Sequence, residues 1–590
     1  MLSKINTFYK SNLFFFIILT GVVFTVYGHS INSQLTNLDD DYLVQDNITY
    51  ISKIKNIPNF FTESCYYSKE FPYYRPVLSI SFATEAILFG YNLKVTHTAN
   101  IIYFILSIFC IFLLVEQLRF NTSAAKFICL LLAVHPILMS CPVWIPARND
   151  TLLVIFFTLT LTSFLKFIET SKKKDLFFFM FFFILSIFTK ETALVLLPIF
   201  PLTLYCFNYK ISKQQLFTLS SILLPVLAVY FILRAISITT VELSSYLTSY
   251  KESADIIITG LSTYIDKFII PDYVPVMLYK IKLTPKLLTV NFILLFLITI
   301  ILFTKFISRK IILFGIIWFI LSLLPTFFIP DYLLLFHRFI IPSVAIVILL
   351  SGLTGQIIIK YPIAKKYLLF LFLPLFIVFS LTSSTYSIRY KNAESFWTNA
   401  YTDARNYPES LHGLAKVLMS QEKYQEAKAL LYEAMQFKYY SYLATFCNVL
   451  FMEKKYDEAE KIFLQALKTN HENYILYQYY LNLSNIYLHK MDFKKSVDFA
   501  EKSLELSPYN TNSFIMLSKI YAVKGEYQKA VDILLFLLKN DKRNLSYLEN
   551  LALLYEDLND KTNAGKYAGI ILKTNPDNAI AADVLKKIKA

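Results

Sequence analysis

Long apolar runs recur through the first two-thirds of the chain, and they constrain its fold more than any other feature. A membrane-spanning helix needs about 20 predominantly apolar residues, and runs close to that length return up to residue 390. With 56 % hydrophobic residues and only 11 glycines, the 590-residue chain carries more apolar surface than a soluble domain can bury. The sequence therefore predicts an all-α, polytopic membrane protein.

We expect about eleven spans in this membrane half, the first of them retained and not cleaved as a signal peptide. The candidates are 11–30, 97–118, 126–141, 151–168, 176–189, 192–208, 216–237, 286–304, 311–329, 342–359 and 368–388. This count places every basic cluster between spans on one side, which the positive-inside rule makes cytoplasmic, together with the N-terminus. One alternative stays open, because a single broken span over 176–208 would reverse everything that follows it.

The net charge of +15 lies in these short clusters and forms no continuous basic stripe. This distribution is typical of membrane topology and excludes nucleic acid as the expected partner. The six cysteines show no metal-ligand spacing, so we interpret them as small buried hydrophobes.

Beyond residue 408 the chain repeats with a period of about 34 residues, which is typical of tetratricopeptide units. An aromatic and a small residue, as in Tyr424 and Ala427, recur at 456/459, 493/496 and 527/530, with a degenerate pair at 561/564. A second small residue lies twelve positions before the small member of each pair, at Ala415, Cys447, Ser484, Ser518 and Ala552. A tyrosine stands three positions after the last three of these, at Tyr487, Tyr521 and Tyr555. We expect a membrane domain over 1–390, a connecting helix over 391–407, about five repeats over 408–578 and a capping helix over 579–590. Such an α-solenoid offers a groove for a protein or peptide and shows no catalytic motif of its own.

Ionisable residues in the membrane half are the candidate functional residues, since charges close to lipid are costly and mark a site or a buried ion pair. With eleven spans they converge on the outer face, beside the acidic run Asp39–Asp41. The candidates are Arg75, His97, His135, Arg148, Asp150, Lys190, Glu191, His337 and Arg338. For the acidic run an alternative is an exposed N-cap before the 42–56 segment, where carboxylates stabilise a helix start.

The chain as a whole resembles the transmembrane-and-tetratricopeptide O-mannosyltransferases and their bacterial relatives, which are polytopic glycosyltransferases of the GT-C type. The stretches that carry the resemblance are DDDYLVQDN at 39–47, YRPVLSISF at 74–82, HTAN at 97–100, HPILMSCPVWIPARND at 135–150, TKET at 189–192 and HRFIIPS at 337–343. It implies a GT-C-like bundle over 1–390 and a sugar donor carried on a polyprenyl phosphate. The family's acidic pair falls on Asp39 and Asp40, its His-Pro on His135, and its Arg-x-Asp on Arg148 and Asp150.

Sugar transfer from a phosphate leaving group requires a base near the acceptor hydroxyl and cations near the departing phosphate. We expect Asp40 or Asp39 to be the base, because crowded carboxylates raise one another's pKa. Arg148, Arg338 and Lys190 are candidates for holding the phosphate, and His135 for orienting the carboxylate or contacting the donor. The remaining substrate-binding candidates are Asp150, His337, Glu191 and Arg75. The cofactor stays open, and a divalent cation held by Asp39 and Asp40 is one alternative.

The sequence predicts an integral membrane glycosyltransferase that acts at the outer face of the membrane. We expect that membrane to be a bacterial inner membrane. Its partners are membrane lipids, the lipid-linked sugar, and a protein or peptide in the repeat groove. Two alternatives remain: a polymerase or ligase that moves preassembled glycans, and a membrane-anchored repeat scaffold without catalysis. A scaffold leaves about eleven spans and the converging polar residues unexplained.

Overall fold

The computed structural model is predominantly helical, as the sequence predicts, and divides into two compact units, Met1–Ala404 and Arg405–Ala590. It describes the chain apart from residues 1, 46, 67–72, 239–252, 280–281, 294–307, 329–332, 406, 438, 470–472, 507–510, 541–543, 576–577 and 590. The predicted architecture, a bundle of apolar helices followed by a repeat solenoid, is confirmed.

The first unit is built from long helices joined by short turns. Its helices of ten residues or more are α1 (Leu2–Tyr27), α2 (Pro76–Phe89), α3 (Leu93–Gln117), α4 (Thr122–Ala133), α5 (Arg148–Thr170), α6 (Lys173–Thr189), α7 (Leu196–Cys206), α8 (Lys213–Ser237), α9 (Ser253–Ile269), α10 (Arg309–Leu323), α11 (Ile340–Lys360), α12 (Ala364–Ser387) and α13 (Ala393–Asp403). Strands β1 (Leu278–Tyr279) and β2 (Leu333–Leu334) form a small antiparallel pair.

Seven helical segments among the described residues are long and apolar enough to cross a membrane. They are Asn12–Asn32, Leu93–Gln117, Ile145–Thr170, Lys213–Ser237, Arg309–Thr326, Phe336–Lys360 and Lys366–Tyr390. The expected span at 126–141 is broken by a 59° bend between Thr122–Ala133 and Pro136–Val143, and it becomes an eighth span if the pair counts as one. The expected spans at 176–189 and 192–208 correspond to helices of 17 and 11 residues, and most of 286–304 lies outside the described residues. The count of eleven was therefore approximate.

Helix α2 lies between the expected spans 11–30 and 97–118, where the sequence predicted no helix. Pro76 occupies its first turn, where proline's fixed φ favours a helix start, and Gly90 ends it with a φ of +69°. Its buried side chains, Leu78 and Phe82 among them, pack against the residues that follow the acidic run. A segment that we expected to be a loop is thus a packed wall of the candidate site.

The bundle has two ends with different chemistry. Asp150 stands in the first turn of α5 and Glu169 in its last, so the length of this 23-residue helix separates them by roughly 30 Å. At the Glu169 end, Arg119 forms an ion pair of 2.7 Å with that carboxylate, and Lys310 Nζ donates to Asn208 Oδ1 at 2.8 Å. These are the loops that carry the basic clusters. The polar motifs of the sequence gather at the Asp150 end.

The second unit consists of antiparallel helix pairs followed by one further helix. The helices are α14 (Pro408–Ser420), α15 (Tyr424–Met435), α16 (Tyr439–Met452), α17 (Tyr456–Thr469), α18 (Asn473–His489), α19 (Phe493–Leu506), α20 (Thr511–Val523), α21 (Tyr527–Asn540), α22 (Leu545–Asp557), α23 (Lys561–Thr574) and α24 (Ala579–Lys589). Ala581 and Val584 of α24 are fully buried in the core formed with α22 and α23. This packing covers the apolar face that a terminal repeat otherwise leaves in water.

The small residues of the repeat pattern lie where the paired helices touch. Ser484 Oγ donates to the Ser496 carbonyl at 2.7 Å, and Ser496 Oγ donates to the Ser484 carbonyl at the same distance. In the next pair Ser518 Oγ donates to the Ala530 carbonyl at 3.1 Å. A side chain longer than serine would force these backbones apart, which explains the twelve-residue spacing. The ring of Tyr487 stacks on Phe499 across the same pair, 5.4 Å between centroids.

Candidate active site

The acidic run lies on a tightly turned loop after α1. Asn37 and Asp39 both have left-handed backbones, with φ of 56° and 72°. Asparagine and aspartate tolerate this region better than other residues with a side chain, and such conformations cluster at functional sites. The two left-handed residues turn the chain back on itself, so that Asp40 faces Thr36. The alternative of an exposed N-cap does not describe Asp40, which is 1 % exposed.

Asp40 is held by one residue, Thr36. Its Oδ2 accepts hydrogen bonds from the Thr36 backbone N–H at 2.7 Å and from Thr36 Oγ1 at 2.8 Å. Its Oδ1 is buried and has no hydrogen-bond partner among the described residues. Burial raises the pKa of Asp40 to about 7, while the Thr36 hydrogen bonds favour the ionised form and the neighbouring Asp41 and Asp39 disfavour it. Asp40 thus combines a free carboxylate oxygen with a pKa near neutrality.

Asp39 points to the cationic side of the site. Burial raises its pKa, a hydrogen bond from Tyr66 acts in the opposite direction, and so do the positive charges of Arg75 and Arg338. The two acids of the pair therefore stand in different surroundings. Asp40 lies in a dry contact with a threonine, and Asp39 lies within the field of two guanidinium groups.

Arg75 and Glu191 form an ion pair between the start of α2 and the turn Glu191–Val195, with Nη2 and Oε1 3.1 Å apart. The Arg75 guanidinium also lies 4.7 Å from the centroid of the Tyr73 ring. Residues 116 positions apart in the sequence are thereby brought together next to the acidic loop.

Asp150, Lys190 and His337 form a second charged cluster at the same end of the bundle. Lys190 Nζ donates to both carboxylate oxygens of Asp150, at 2.7 and 2.9 Å, and His337 Nε2 lies 3.6 Å from Asp150 Oδ2. All three side chains are buried, and Arg338 follows His337 in a partly exposed position. Helix α5 supplies Asp150, the residue that follows α6 is Lys190, and the turn Phe336–Phe339 supplies His337.

Trp144 connects this cluster to the acidic loop. Its indole Nε1 donates to Thr36 Oγ1 at 3.1 Å, and its ring centroid lies 5.1 Å from that of His337. Asp40, Thr36, Trp144, His337, Asp150 and Lys190 thus form one continuous series of contacts. Of the ten candidates to which the sequence analysis gave a catalytic or substrate-binding role, the structure brings together eight: Asp39, Asp40, Arg75, Asp150, Lys190, Glu191, His337 and Arg338.

Arg148 is not part of this group. Its guanidinium is 0 % exposed, pairs with Glu85 at 2.7 Å, and donates to the Asn100 side chain at 2.6 Å and to the Thr96 carbonyl at 2.9 Å. The ring of Phe82 covers it, with 4.2 Å between the guanidinium carbon and the ring centroid. These contacts join α2, α3 and α5, so they favour a role in packing over the phosphate contact expected from the sequence.

His135 also lies in helix packing. Its Nδ1 accepts from the Ile137 backbone N–H at 3.3 Å, and its Nε2 lies 3.0 Å from the Phe268 carbonyl. The ring stacks on Phe268, 4.8 Å between centroids. The histidine caps the short helix Pro136–Leu138 and fixes it to α9, which accounts for the His-Pro pair without a substrate contact.

The described residues contain no group of three or more His, Cys, Asp or Glu side chains placed to hold a metal ion. Within that part of the chain the six cysteines are all free and buried, in agreement with the sequence interpretation. Asp39 and Asp40 diverge, one toward Tyr66 and the other toward Thr36. The metal suggested for this pair stays a prediction.

Three residues that were not among the predicted candidates define the site's geometry, Thr36, Tyr66 and Trp144, and a fourth, Glu85, holds Arg148 in the helix packing. Thr36 lies just before the acidic run and Trp144 lies within the quoted stretch 135–150, and the Trp144 indole would have been a signal, since a buried indole N–H needs an acceptor. Glu85 sits in an apolar helix, where an acid predicts a buried cationic partner.

Comparison with known families agrees with this division of the chain. Residues 76–239 match a family model described as dolichyl-phosphate-mannose-protein mannosyltransferase. Residues 409–438 and 477–510 match tetratricopeptide repeat models. The mannosyltransferase match spans less than half of the chain. It precedes the repeats, which is the domain order that the family resemblance implied. Together with the apolar helices, these matches support an integral membrane glycosyltransferase that carries repeats for binding protein or peptide.

Similar solved structures are repeat proteins of low identity. YrrB, a TPR protein with an unusual peptide-binding site, is 17 % identical with a TM-score of 0.24, and the match covers 32 % of this chain and 97 % of that one. The pilF protein of Pseudomonas aeruginosa is 17 % identical with a TM-score of 0.27, and the match covers 33 % of this chain and 88 % of that one. PilW, a type IV pilus biogenesis factor, is 15 % identical with a TM-score of 0.29, and the match covers 38 % of this chain and 97 % of that one. At these scores the likeness carries no argument about function. No curated protein gives a significant match.

Proposed function

We propose that the protein transfers a sugar from a polyprenyl-phosphate donor to an acceptor hydroxyl at the outer face of the membrane. The observation that carries the proposal is the acidic pair, in which Asp40 keeps an unpartnered Oδ1 and Asp39 lies in the field of Arg75 and Arg338, in a chain that matches the mannosyltransferase family over 76–239. The basic loops at the far end of the bundle favour a cytoplasmic location for that end.

In this reaction Oδ1 of Asp40 accepts the proton of the acceptor hydroxyl as its oxygen bonds to the sugar's anomeric carbon. The bond from that carbon to the phosphate oxygen breaks, and its electron pair leaves with the polyprenyl phosphate. Arg338 and Arg75 stabilise the negative charge that develops on the phosphate. A carboxylate with a pKa near 7 suits the transfer because it is ionised in half of the molecules at neutral pH and still basic enough to take the proton.

The ion pairs around the cations assign them different tasks. Lys190 is already bound to both oxygens of Asp150, so its charge is held in a fixed position beside His337. Arg75 shares its guanidinium with Glu191 and keeps donors on its other edge, and the guanidinium fork suits a phosphate bidentately. Asp150, Glu191 and His337 accordingly orient cations and do not contact the sugar themselves.

The test is transfer from radiolabelled dolichyl-phosphate mannose and from its bacterial-length polyprenyl counterpart, in membranes that contain the full-length chain. Asp40→Asn keeps the size of the side chain and removes the base, and we expect transfer to fall by at least about a hundredfold. Asp41→Asn serves as the matched control from the same loop. Transfer at the normal rate by Asp40→Asn in a folded, inserted protein would exclude the proposed role.

A further inference from the structure

Thr36 occupies an unusual position between the candidate base and a buried tryptophan. Its Oγ1 donates its single proton to Asp40 Oδ2 at 2.8 Å and accepts the Trp144 Nε1–H at 3.1 Å. All three side chains are at most 4 % exposed, so no water competes with these bonds at the surface. The indole N–H can only donate, so the threonine oxygen accepts from it, and an ionised Asp40 carboxylate can only accept, so the threonine hydroxyl donates to it.

A second set of contacts fixes the tryptophan itself. Its ring packs against His337 on one side, with 5.1 Å between centroids, and against Phe396 of α13 at 6.3 Å and 18° between planes. Tyr390, just before α13, lies 6.3 Å from the same ring. The indole therefore cannot turn away from Thr36 without displacing three aromatic neighbours.

We propose that Thr36 and Trp144 are positioning residues that hold Asp40 with Oδ1 directed at the acceptor and tune how readily it takes a proton. The proposal rests on the proposed function for its catalytic meaning, and on the contacts alone for its effect on the carboxyl. Both Thr36 bonds go to Oδ2, which leaves Oδ1 as the oxygen available for the acceptor proton. Hydrogen bonds of this kind stabilise the ionised carboxylate, and the indole strengthens the threonine donor by polarising it.

The charged groups around Asp40 have to be separated from this effect. Asp39 and Asp41 act on it from its own loop. Arg75 and Arg338, from other elements, act on Asp39, and Asp150 and His337 lie beyond Trp144. Substitutions of Thr36 and Trp144 change none of these charges, so a shift in the titration of Asp40 reports the hydrogen bonds.

The experiment is pH-dependent labelling of the full-length protein with dicyclohexylcarbodiimide, which attaches to protonated carboxyls in apolar surroundings. Mass spectrometry of the peptide that contains Asp40 gives the pH of half-maximal labelling. Thr36→Val removes the hydroxyl donor and keeps the shape, and we expect the midpoint to rise by about half to one pH unit. We expect Trp144→Phe to produce a smaller rise and Thr36→Ser to leave the midpoint near its normal value.

Transfer kinetics give the second readout. Thr36→Val is expected to lower kcat about five- to tenfold at pH 7 without raising KM for dolichyl-phosphate mannose, and to regain rate at higher pH. Trp318→Phe is the control, since Trp318 is a buried tryptophan of α10 whose indole donates to the Ile341 carbonyl at 3.2 Å. Equal labelling midpoints in all variants would overturn the proposal. Transfer by Asp40→Asn would instead overturn the proposed function and leave the labelling result standing.

Discussion

Nη1 of Arg148 lies 2.7 Å from Oε1 of Glu85, in an ion pair between α5 and α2 that is closed to solvent on the arginine side. Removing one partner from such a pair leaves an uncompensated buried charge, at a cost of about 3–5 kcal/mol. We expect Arg148→Met and Glu85→Gln each to destabilise the folded protein by this order, as measured by thermal unfolding in detergent. The double substitution should cost less than the sum of the two.

This double-mutant cycle also separates two roles for Arg148. If it holds phosphate, the surviving folded fraction of Arg148→Met should show a raised KM for the donor. The packing role predicts an unchanged KM, with loss of folded protein only.

Arg338 should govern donor binding. It is partly exposed at the site, and its charge acts on Asp39. We expect Arg338→Gln to lower kcat/KM for dolichyl-phosphate mannose by about a hundredfold, since hydrogen bonds to charged groups contribute about 1.5–3 kcal/mol. Arg338→Lys should restore part of this loss. The control is Arg119→Gln, at the far end of the bundle, and a similar loss in that variant would point to a general defect in insertion.

The pH dependence of stability should report Asp40. Its pKa is about 7 in the folded protein, above the usual value near 3.9 of an unfolded chain. Between these values the folded state binds the extra proton, so ionisation of Asp40 lowers stability as the pH rises from about 4 to 7. Asp40→Asn removes this penalty. We expect the melting temperature of this variant to exceed that of the unsubstituted protein by more at pH 8 than at pH 5. A difference that does not change with pH would argue against a buried Asp40 with a raised pKa.

The repeat helices should be intolerant of larger side chains at their contact points. Ser484 exchanges hydroxyl-to-carbonyl hydrogen bonds with Ser496, so Ser484→Leu must separate α18 from α19. We expect early proteolysis within the second unit of the full-length protein and a loss of about 1–3 kcal/mol, with Ser484→Ala milder. Ser420→Leu, at an exposed position of α14, is the control and should leave proteolysis unchanged.

The orientation of the bundle can be tested with reporters. Alkaline phosphatase fused after Ala404 should be active in a bacterial host, and green fluorescent protein inserted after Ser171 should fluoresce, since each folds on one side of the membrane only. The reverse pattern would place the site on the cytoplasmic face.

The parts of the structure that local chemistry determines were predictable from the sequence. The register of Ser484 and Ser496 follows from how closely two helices can approach, and it was readable from spacing. Asp40 stood out because three adjacent acids near a span are costly. Thr36 carried no such signal, since its role depends on Trp144, 108 positions away. His135 was assigned to the site because a His-Pro pair matched the family motif, yet its contacts are those of a local cap. The wall formed by α2 was missed because a mainly apolar segment of fourteen residues is too short for a span.

Helix α13 and the residues just before it belong to the first unit and contact it at several points. Phe396 packs on Trp144, the Lys391 carbonyl accepts from the Gln34 N–H at 2.8 Å, and Asp403 accepts from the Val276 N–H at 2.6 Å. A protease that cuts after Ala404 would release the repeats and leave these contacts whole. A cut near residue 390, where the change in composition suggests a boundary, would detach the helix whose Phe396 packs on Trp144, the residue that donates to Thr36. The cut that removes only the repeats and the cut that removes the packing on Trp144 are therefore fourteen residues apart. Any natural or engineered shortening of the protein has to keep residues 391–404.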